Sequence, residues 1–257
     1  MNDASPAATV VLLRDAACGF ELLLTERHAK LGFAGGAMVF PGGKVDDGDL
    51  GIARDPALAR GFETLADTDA VARVAAAREA FEEVGVVLSA GPALDAAIVA
   101  SWRARFAATD DESGTYAAFL AATGHRADAA RLTPYAHWVP PHGLHRRFDT
   151  LFYVAILDPD TPIAADGIEV VAAHWTTAAA AIAQADAGAI SVVFPTRCNL
   201  ERLAQYSASA ALLATLSSPP VRIQPEVVER DGETWLTIPA GCDYPVIAAR
   251  LDAVRRS

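Results

Sequence analysis

The sequence predicts a mixed α/β (α+β) fold. Two observations carry this. Short β-branched and leucine-rich runs alternate along the chain with alanine-rich stretches of helical character. Of the 257 residues 52% are hydrophobic, enough for one sizeable core with appendages, and much of that count is alanine. No internal repeat and no long linker divides the chain, so a single domain over 1–257 is expected.

In chain order, "ATVVLLR" (8–14) and "FELLLTER" (20–27) read as two strands joined by a turn at Gly19, and "AMVFP" (37–41) as a third. A polar, irregular stretch runs from Asp46 to Thr68, with a short helix around "DPALARGFETLA". "TDAVARVAAAREAFEEVG" predicts a strong helix, with Thr68 or Asp69 as its cap and Gly85 ending it in a left-handed turn. "VVLS" reads as a strand, and 93–131 as helical with breaks near Ser113–Gly114 and Gly124. "YAHWVP" (135–140), "DTLFYVAIL" (149–157) and "EVVAAHWTT" (169–177) predict strands, the last leading into the helix "AAAAIAQADAG". Pro195 opens a helix expected to reach Leu216, and the tail predicts a hairpin turning at Asp231–Gly232.

With 21 Lys+Arg against 32 Asp+Glu, the formal net charge of −11 disfavours phosphate backbones and anionic membranes as partners. The N-terminus lacks the basic start of a signal peptide and no run resembles a membrane span, so a cytoplasmic location is expected. Cys18, Cys198 and Cys242 are too few and too dispersed for a disulfide framework or a zinc cluster. His137, His142 and His145, set among prolines and without cysteine, do not have zinc-site spacing. No G-x-S-x-G is present.

Chemistry gathers in two places. On a wheel of residues 74–84, Val74, Ala77, Phe81 and Val84 share one side, and Glu79, Glu82 and Glu83 the other. Like charges at this spacing repel by about 0.2–0.5 kcal/mol per pair. Glu82 and Glu83 also occupy the last turn, where the carbonyl ends are already partly negative. No cation follows within a turn. A divalent ion is the simplest compensation, and oxygen donors of this kind suit Mg²⁺ or Mn²⁺. The second place is "PGGKVDDGD", which does not read as a strand interior and whose Gly42 and Gly43 let the backbone turn sharply and approach a ligand closely. It is neither a Walker loop, since Met38 and Val45 stand at required positions, nor an EF-hand loop.

Taken together, the two places resemble the Nudix hydrolase signature, G-x5-E-x7-R-E-U-x-E-E-x-G-U. Gly43 and Asp49 match its first part, with Asp for Glu; Arg78, Glu79, Glu82, Glu83, Gly85 and Val86 match its second. The spacer departs from the family, its seven residues becoming 28 here, so that an insertion over about 50–70 lies inside the motif and puts the role of Asp49 in doubt. An interrupted motif of this kind, with "RRFDTLFYVA", "FPTRCNLERLA" and "DGETWLTIP", also resembles the branch containing peroxisomal coenzyme A diphosphatases and their bacterial relatives. Of that branch's coenzyme-A motif, "LLTER", Gly36 and "FPGG" are present; His28 and Gly32 depart from it.

The resemblance implies an α/β/α sandwich around a central mixed sheet, with helical insertions and the C-terminal hairpin added. It implies that Glu79, Glu82 and Glu83, with the Gly42 carbonyl, hold Mg²⁺ or Mn²⁺, that Arg78 orients the glutamates, and that the substrate is a small nucleoside diphosphate derivative. Glu169 or Glu79 is the expected general base, and Arg27, Gly42, Gly43, Arg146 and Arg147 the expected substrate contacts. A coenzyme A derivative leads as substrate. Nucleotide sugars, dinucleotides or oxidised nucleotides are the alternative, and a non-catalytic nucleotide sensor a third reading. A homodimer is left open, with the insertion and the helical region 93–131 shaping either the pocket or a dimer contact.

Overall fold

The computed structural model describes residues 4–30, 34–141, 147–216 and 219–250. Its strands and helices alternate. β1 (Ser5–Ala16), β2 (Gly19–Arg27), β3 (Ala37–Val39) and β4 (Gly42–Lys44) are followed by α1 (Asp49–Arg54), β5 (Ala59–Arg60) and α2 (Asp67–Val84). Next come β6 (Ser89–Ala90), α3 (Ala96–Phe106), α4 (Glu112–Thr123), β7 (Arg126–Asp128), β8 (Thr133–Trp138) and β9 (Phe148–Leu157). The last part holds β10 (Val170–Thr176), α5 (Ala178–Asp186), β11 (Ser191–Val192), α6 (Phe194–Leu203), α7 (Ser209–Leu213), β12 (Arg222–Ile223), β13 (Glu226–Arg230), β14 (Glu233–Thr237) and β15 (Ala248–Arg250).

Among the described residues nine strands form one sheet in the order β11-β3-β2-β1-β9-β8-β12, with β10 on β2 and β4 on β1. β1–β9, β3–β11 and β8–β12 are parallel and the other pairs antiparallel, so the sheet is mixed. Alternation along β1 sends Val10 and Leu12 to one face and Val11 and Leu13 to the other. On the first face lie α1, α2, α3 and α4; on the second, α5, α6 and α7. This is the three-layer arrangement that the resemblance implies.

The apolar side of α2 is fixed by aromatic packing. Phe81 is fully buried, stacked on Phe119 of α4 with ring centroids 4.3 Å apart and edge-on to Phe106 of α3 at 5.7 Å. The helices of region 93–131 therefore hold the glutamate helix against the sheet.

Several boundaries differ from expectation. Gly42–Lys44 is a short strand on β1, not a turn: a Cβ at Gly42 would overlap the Ala8 carbonyl and one at Gly43 the Glu79 carboxylate, so these glycines serve close approach. The short helix is Asp49–Arg54, ahead of "DPALARGFETLA"; Asp55 is extended, as the residue before Pro56 must be. α2 begins at Asp67 without a side-chain cap. Asp69 instead accepts from Arg73 Nε at 3.1 Å and Tyr153 O–H at 2.7 Å. Gly85 does end the helix in the left-handed region, at φ 75°, with Val86 N–H returning to the Ala80 carbonyl.

Strand character after α2 is confined to Ser89–Ala90. Region 93–131 breaks before Ser113, because Asp111 caps α4 through Gly114 N–H at 2.9 Å, and it ends in strand β7 and a single 3-10 turn. The helix from Pro195 stops at Leu203; the chain then bends, the Ser207 carbonyl packing on Gly19 and Ser209 Oγ bonding Asp15, before α7. The hairpin turns at Asp231–Gly232, both with positive φ, and β15 extends it. Cys18, Cys198 and Cys242 are free thiols.

Candidate active site

The sheet brings the two chemical stretches together. β4 runs beside α2, so that Gly42 N–H donates to Glu83 Oε2 at 3.3 Å and Gly43 lies directly against the Glu79 carboxylate. Asp49, at the start of α1, reaches the same place. It is fully buried, and both its oxygens accept from Arg78 at 3.4 Å. The residue left in doubt by the lengthened spacer is therefore in the site, because α1 folds back beside α2.

Arg78 is the hub. It is fully buried, and besides Asp49 it donates to Glu79 Oε1 at 2.9 Å, Glu112 Oε2 at 2.7 Å and the Lys44 carbonyl at 2.8 Å. Burial alone would lower its pKa; Glu79, Asp49 and Glu112 more than reverse this, so the guanidinium is held charged. For Asp49 the balance runs the other way. Burial outweighs the opposing charge of Arg78 and raises its pKa.

The three glutamates of α2 stay close to that hub but differ in their partners. Glu79 is pushed up to about 7, first by burial and then by Glu112, against the pull of Arg78. Glu82 is pushed up to about 8 by burial and by repulsion from Glu79 and Glu112. Its Oε2 is buried without a hydrogen-bond partner, the nearest Arg78 nitrogen lying 4.0 Å away. Glu83 is raised well above the ordinary carboxylate range by burial and by Glu79, with Arg27 opposing.

Glu169 and Arg27 stand at the edge of this cluster. Glu169 precedes β10, its side chain 49% exposed and 3.7 Å from Arg27 Nη2, while its carbonyl accepts from His28 N–H. Its charge bears on Glu79, Glu82 and Glu83. Arg27 Nε is buried without a hydrogen-bond partner. Arg147 donates to the Pro140 carbonyl at 3.0 Å. Arg146, His142 and His145 fall outside the described residues, and His137 is committed to Asp149.

Two groups of the site had no signal in the motif. Glu112 comes from the first turn of α4, and Arg103 from α3. Arg103 donates to the Glu82 and Glu83 carbonyls, each at 2.9 Å, and so supplies the cation that the sequence near Gly85 lacks. The acid run at 110–112 marks a helix start and is the only local hint of either.

Among the described residues no three His, Cys, Asp or Glu groups converge as a ready metal cage. Glu79 and Glu83 are turned to protein donors. The donor set nonetheless fits a hard dication. It is all oxygen, it contains a buried carboxylate oxygen with no partner, and its ionised forms oppose one another. Among the described residues no helix is long and apolar enough to cross a membrane.

Residues 53–203 match the family model described as the NUDT19 Nudix domain. The span contains the α2 glutamates and begins beyond the Gly42–Asp49 loop. The chain is 29% identical over 239 residues to the human protein named acyl-coenzyme A diphosphatase NUDT19, covering 76% of this chain and 63% of that one. To its Gallus gallus counterpart it is 28% identical, covering 74% and 62%. It thus spans less than two thirds of the length of either relative. Among solved structures, a Nudix hydrolase from Alicyclobacillus acidocaldarius superposes with a TM-score of 0.73 at 28% identity, covering 86% of this chain and all of the other.

Proposed function

This chain belongs to the Nudix family, and from that premise we propose that it hydrolyses the diphosphate bond of a nucleoside-diphosphate-linked small molecule, with a coenzyme A derivative as substrate and Mg²⁺ or Mn²⁺ as cofactor. One observation carries the proposal. Gly43 and Asp49, separated from Arg78 by a spacer of 28 residues after Asp49, close onto Arg78 and Glu79 in the fold. The names of the human and chicken relatives support the choice of substrate.

In this reading Glu79, Glu82, Glu83 and the Gly42 carbonyl hold the ion. When bound, it neutralises the diphosphate and activates water for attack. Asp49 fixes Arg78, and Arg78 aims Glu79. Glu169 is the general base: it is half exposed with one long ion pair, whereas Glu79 is buried and bonded to Arg78. Water forms the new P–O bond and its proton passes to Glu169. The bridging P–O bond breaks, its electron pair leaving with the other phosphate. Arg27, whose Nη2 lies 3.7 Å from Glu169 at the edge of the cluster, receives the substrate's negative charge. α1 starts at Asp49 and runs on into the lengthened spacer, so the insertion over about 50–70 forms the helix that holds Asp49 in the site.

The test is a panel of coenzyme A, an acyl-coenzyme A, a nucleotide sugar, a dinucleotide and an oxidised nucleotide with Mg²⁺, read by mass spectrometry. Release of 3′,5′-ADP from coenzyme A is expected. Fast cleavage of another compound beside intact coenzyme A replaces the substrate; binding without cleavage of any compound makes the chain a sensor.

Proton linkage gives a second check. Glu79 and Glu82 titrate near 7 and 8 in the folded protein against an ordinary 4.5, so between those values the folded state holds protons that the unfolded chain has released. Their contribution to the stability of the metal-free protein is fully present below about pH 4.5 and is lost as pH rises through 7 to 8. An ion requires the ionised forms, so Mn²⁺ binding at pH 7 releases protons. Calorimetry in buffers of different ionisation enthalpy is expected to show that release shrinking by pH 9; binding that takes up protons would contradict the site.

A further inference from the structure

Glu112 lies outside both the glycine loop and the glutamate helix, yet it makes the shortest of the side-chain contacts to Arg78. Arg78 Nη1 is divided between two carboxylates, Glu79 at 2.9 Å and Glu112 at 2.7 Å. Glu79 is almost enclosed, while the Glu112 side chain is 38% exposed and reaches in from α4. Its position is set by the backbone. Asp111 caps α4, Ser113 N–H donates to Asp46 Oδ2 at 3.3 Å, and Gly48 lies so close to Ser113 Oγ that a Cβ there would overlap it. The start of α4 is thus docked on the loop that leads into Asp49.

We propose that Glu112 is a positioning residue for the cation site, holding Arg78 Nη1 when the Glu79 carboxylate turns from Arg78 to the ion. The physical need is plain. A buried guanidinium cannot give up an acceptor without replacement, and removing one partner of such a group is costly. Asp49 and the Lys44 carbonyl occupy Nε and Nη2, so when Glu79 moves Nη1 loses one of its two acceptors and stays paired only through Glu112. Glu112 remains there as its acceptor. The helical region 93–131 then completes the site as well as covering it.

The proposal rests on Glu79 being a metal ligand, and the test separates the two. Mn²⁺ affinity of the full chain is measured by the electron paramagnetic resonance signal of the free ion, for wild type, Glu112→Gln, Glu79→Gln and the double variant. Both substitutions keep the side-chain shape, and thermal melts verify folding. Glu112→Gln, which leaves Arg78 Nη1 a neutral acceptor in place of a charged one, is expected to raise the Kd for Mn²⁺ about tenfold, as changes behind metal ligands do. In the Glu79→Gln background the same change is expected to add nothing, because its effect runs through Glu79. Wild-type affinity in Glu112→Gln overturns the proposal, and so does a full further loss in the double variant, which would make Glu112 a ligand itself. If Glu79→Gln leaves Mn²⁺ binding unchanged, the metal-ligand reading fails and the proposal with it.

Discussion

Glutamine in place of Glu83 is expected to lower kcat for diphosphate hydrolysis by about 10³-fold, the equivalent of about 4 kcal/mol of lost charge stabilisation. Folding should survive. Glu83 is buried and its pKa is raised by burial and by Glu79, so the metal-free fold already disfavours its charge. An amide reproduces the neutral form, and its oxygen can still accept from Gly42 N–H. The melting temperature of the metal-free protein at pH 8 should therefore hold or rise, while the stabilisation that Mn²⁺ confers on wild type is lost. Opposite movement of stability and activity is what a residue strained for function produces. Steady-state kinetics with Mg²⁺ and melts with and without Mn²⁺ read both quantities. A variant keeping more than about a tenth of wild-type kcat, a barrier change under about 1.4 kcal/mol, would remove Glu83 from the chemistry.

The contrast between Glu83 and Glu112 marks where sequence reading works and where it stops. Helical period placed Glu79, Glu82 and Glu83 on one face and Phe81 on the opposite one, and both assignments hold, because spacing along one helix is a local property. The mixed α/β class was legible for the same reason, since strand alternation and alanine-rich helices are written in short windows, whereas the three-layer arrangement followed only from the family resemblance. The acid side of α2 is nevertheless not a solvated face, and what covers it is non-local. Arg103 reaches back some 20 residues to cap the Glu82 and Glu83 carbonyls, and Glu112 reaches back 34 to Arg78. Beyond the acid run at 110–112, which hints at a helix start, nothing in their own neighbourhoods marks them out. Gly42 and Gly43 illustrate a related failure. Turn chemistry and close approach both select glycine, and only the packing of β4 between β1 and α2 decides for the second. The lengthened spacer put the role of Asp49 in doubt, yet a loop that folds back returns it to Arg78 at little entropic cost.

Replacing Arg78 by methionine should have the largest effect on stability, a loss of about 3–5 kcal/mol at pH 8, the range for breaking a buried ion pair from one side. Methionine fills the volume but leaves Asp49, Glu79 and Glu112 without their shared cation and the Lys44 carbonyl without its donor. Each carboxylate already has a raised pKa with Arg78 present, so none can remain ionised cheaply once it is gone. The loss should therefore shrink as pH falls toward 5 and the acids take up protons, which distinguishes it from a packing defect, whose cost does not follow pH. Lysine at this position keeps the charge, but a single ammonium cannot span acceptors on β4, α1, α2 and α4, so an intermediate loss is expected. Urea denaturation midpoints at pH 5 and pH 8 measure both variants. A loss below about 1 kcal/mol for Arg78→Met at pH 8, or one equal at both pH values, would mean that the acids around Arg78 are neutral in the folded protein. The guanidinium would then be no electrostatic hub, and Asp49 and Glu112 would have no charge with which to steer it.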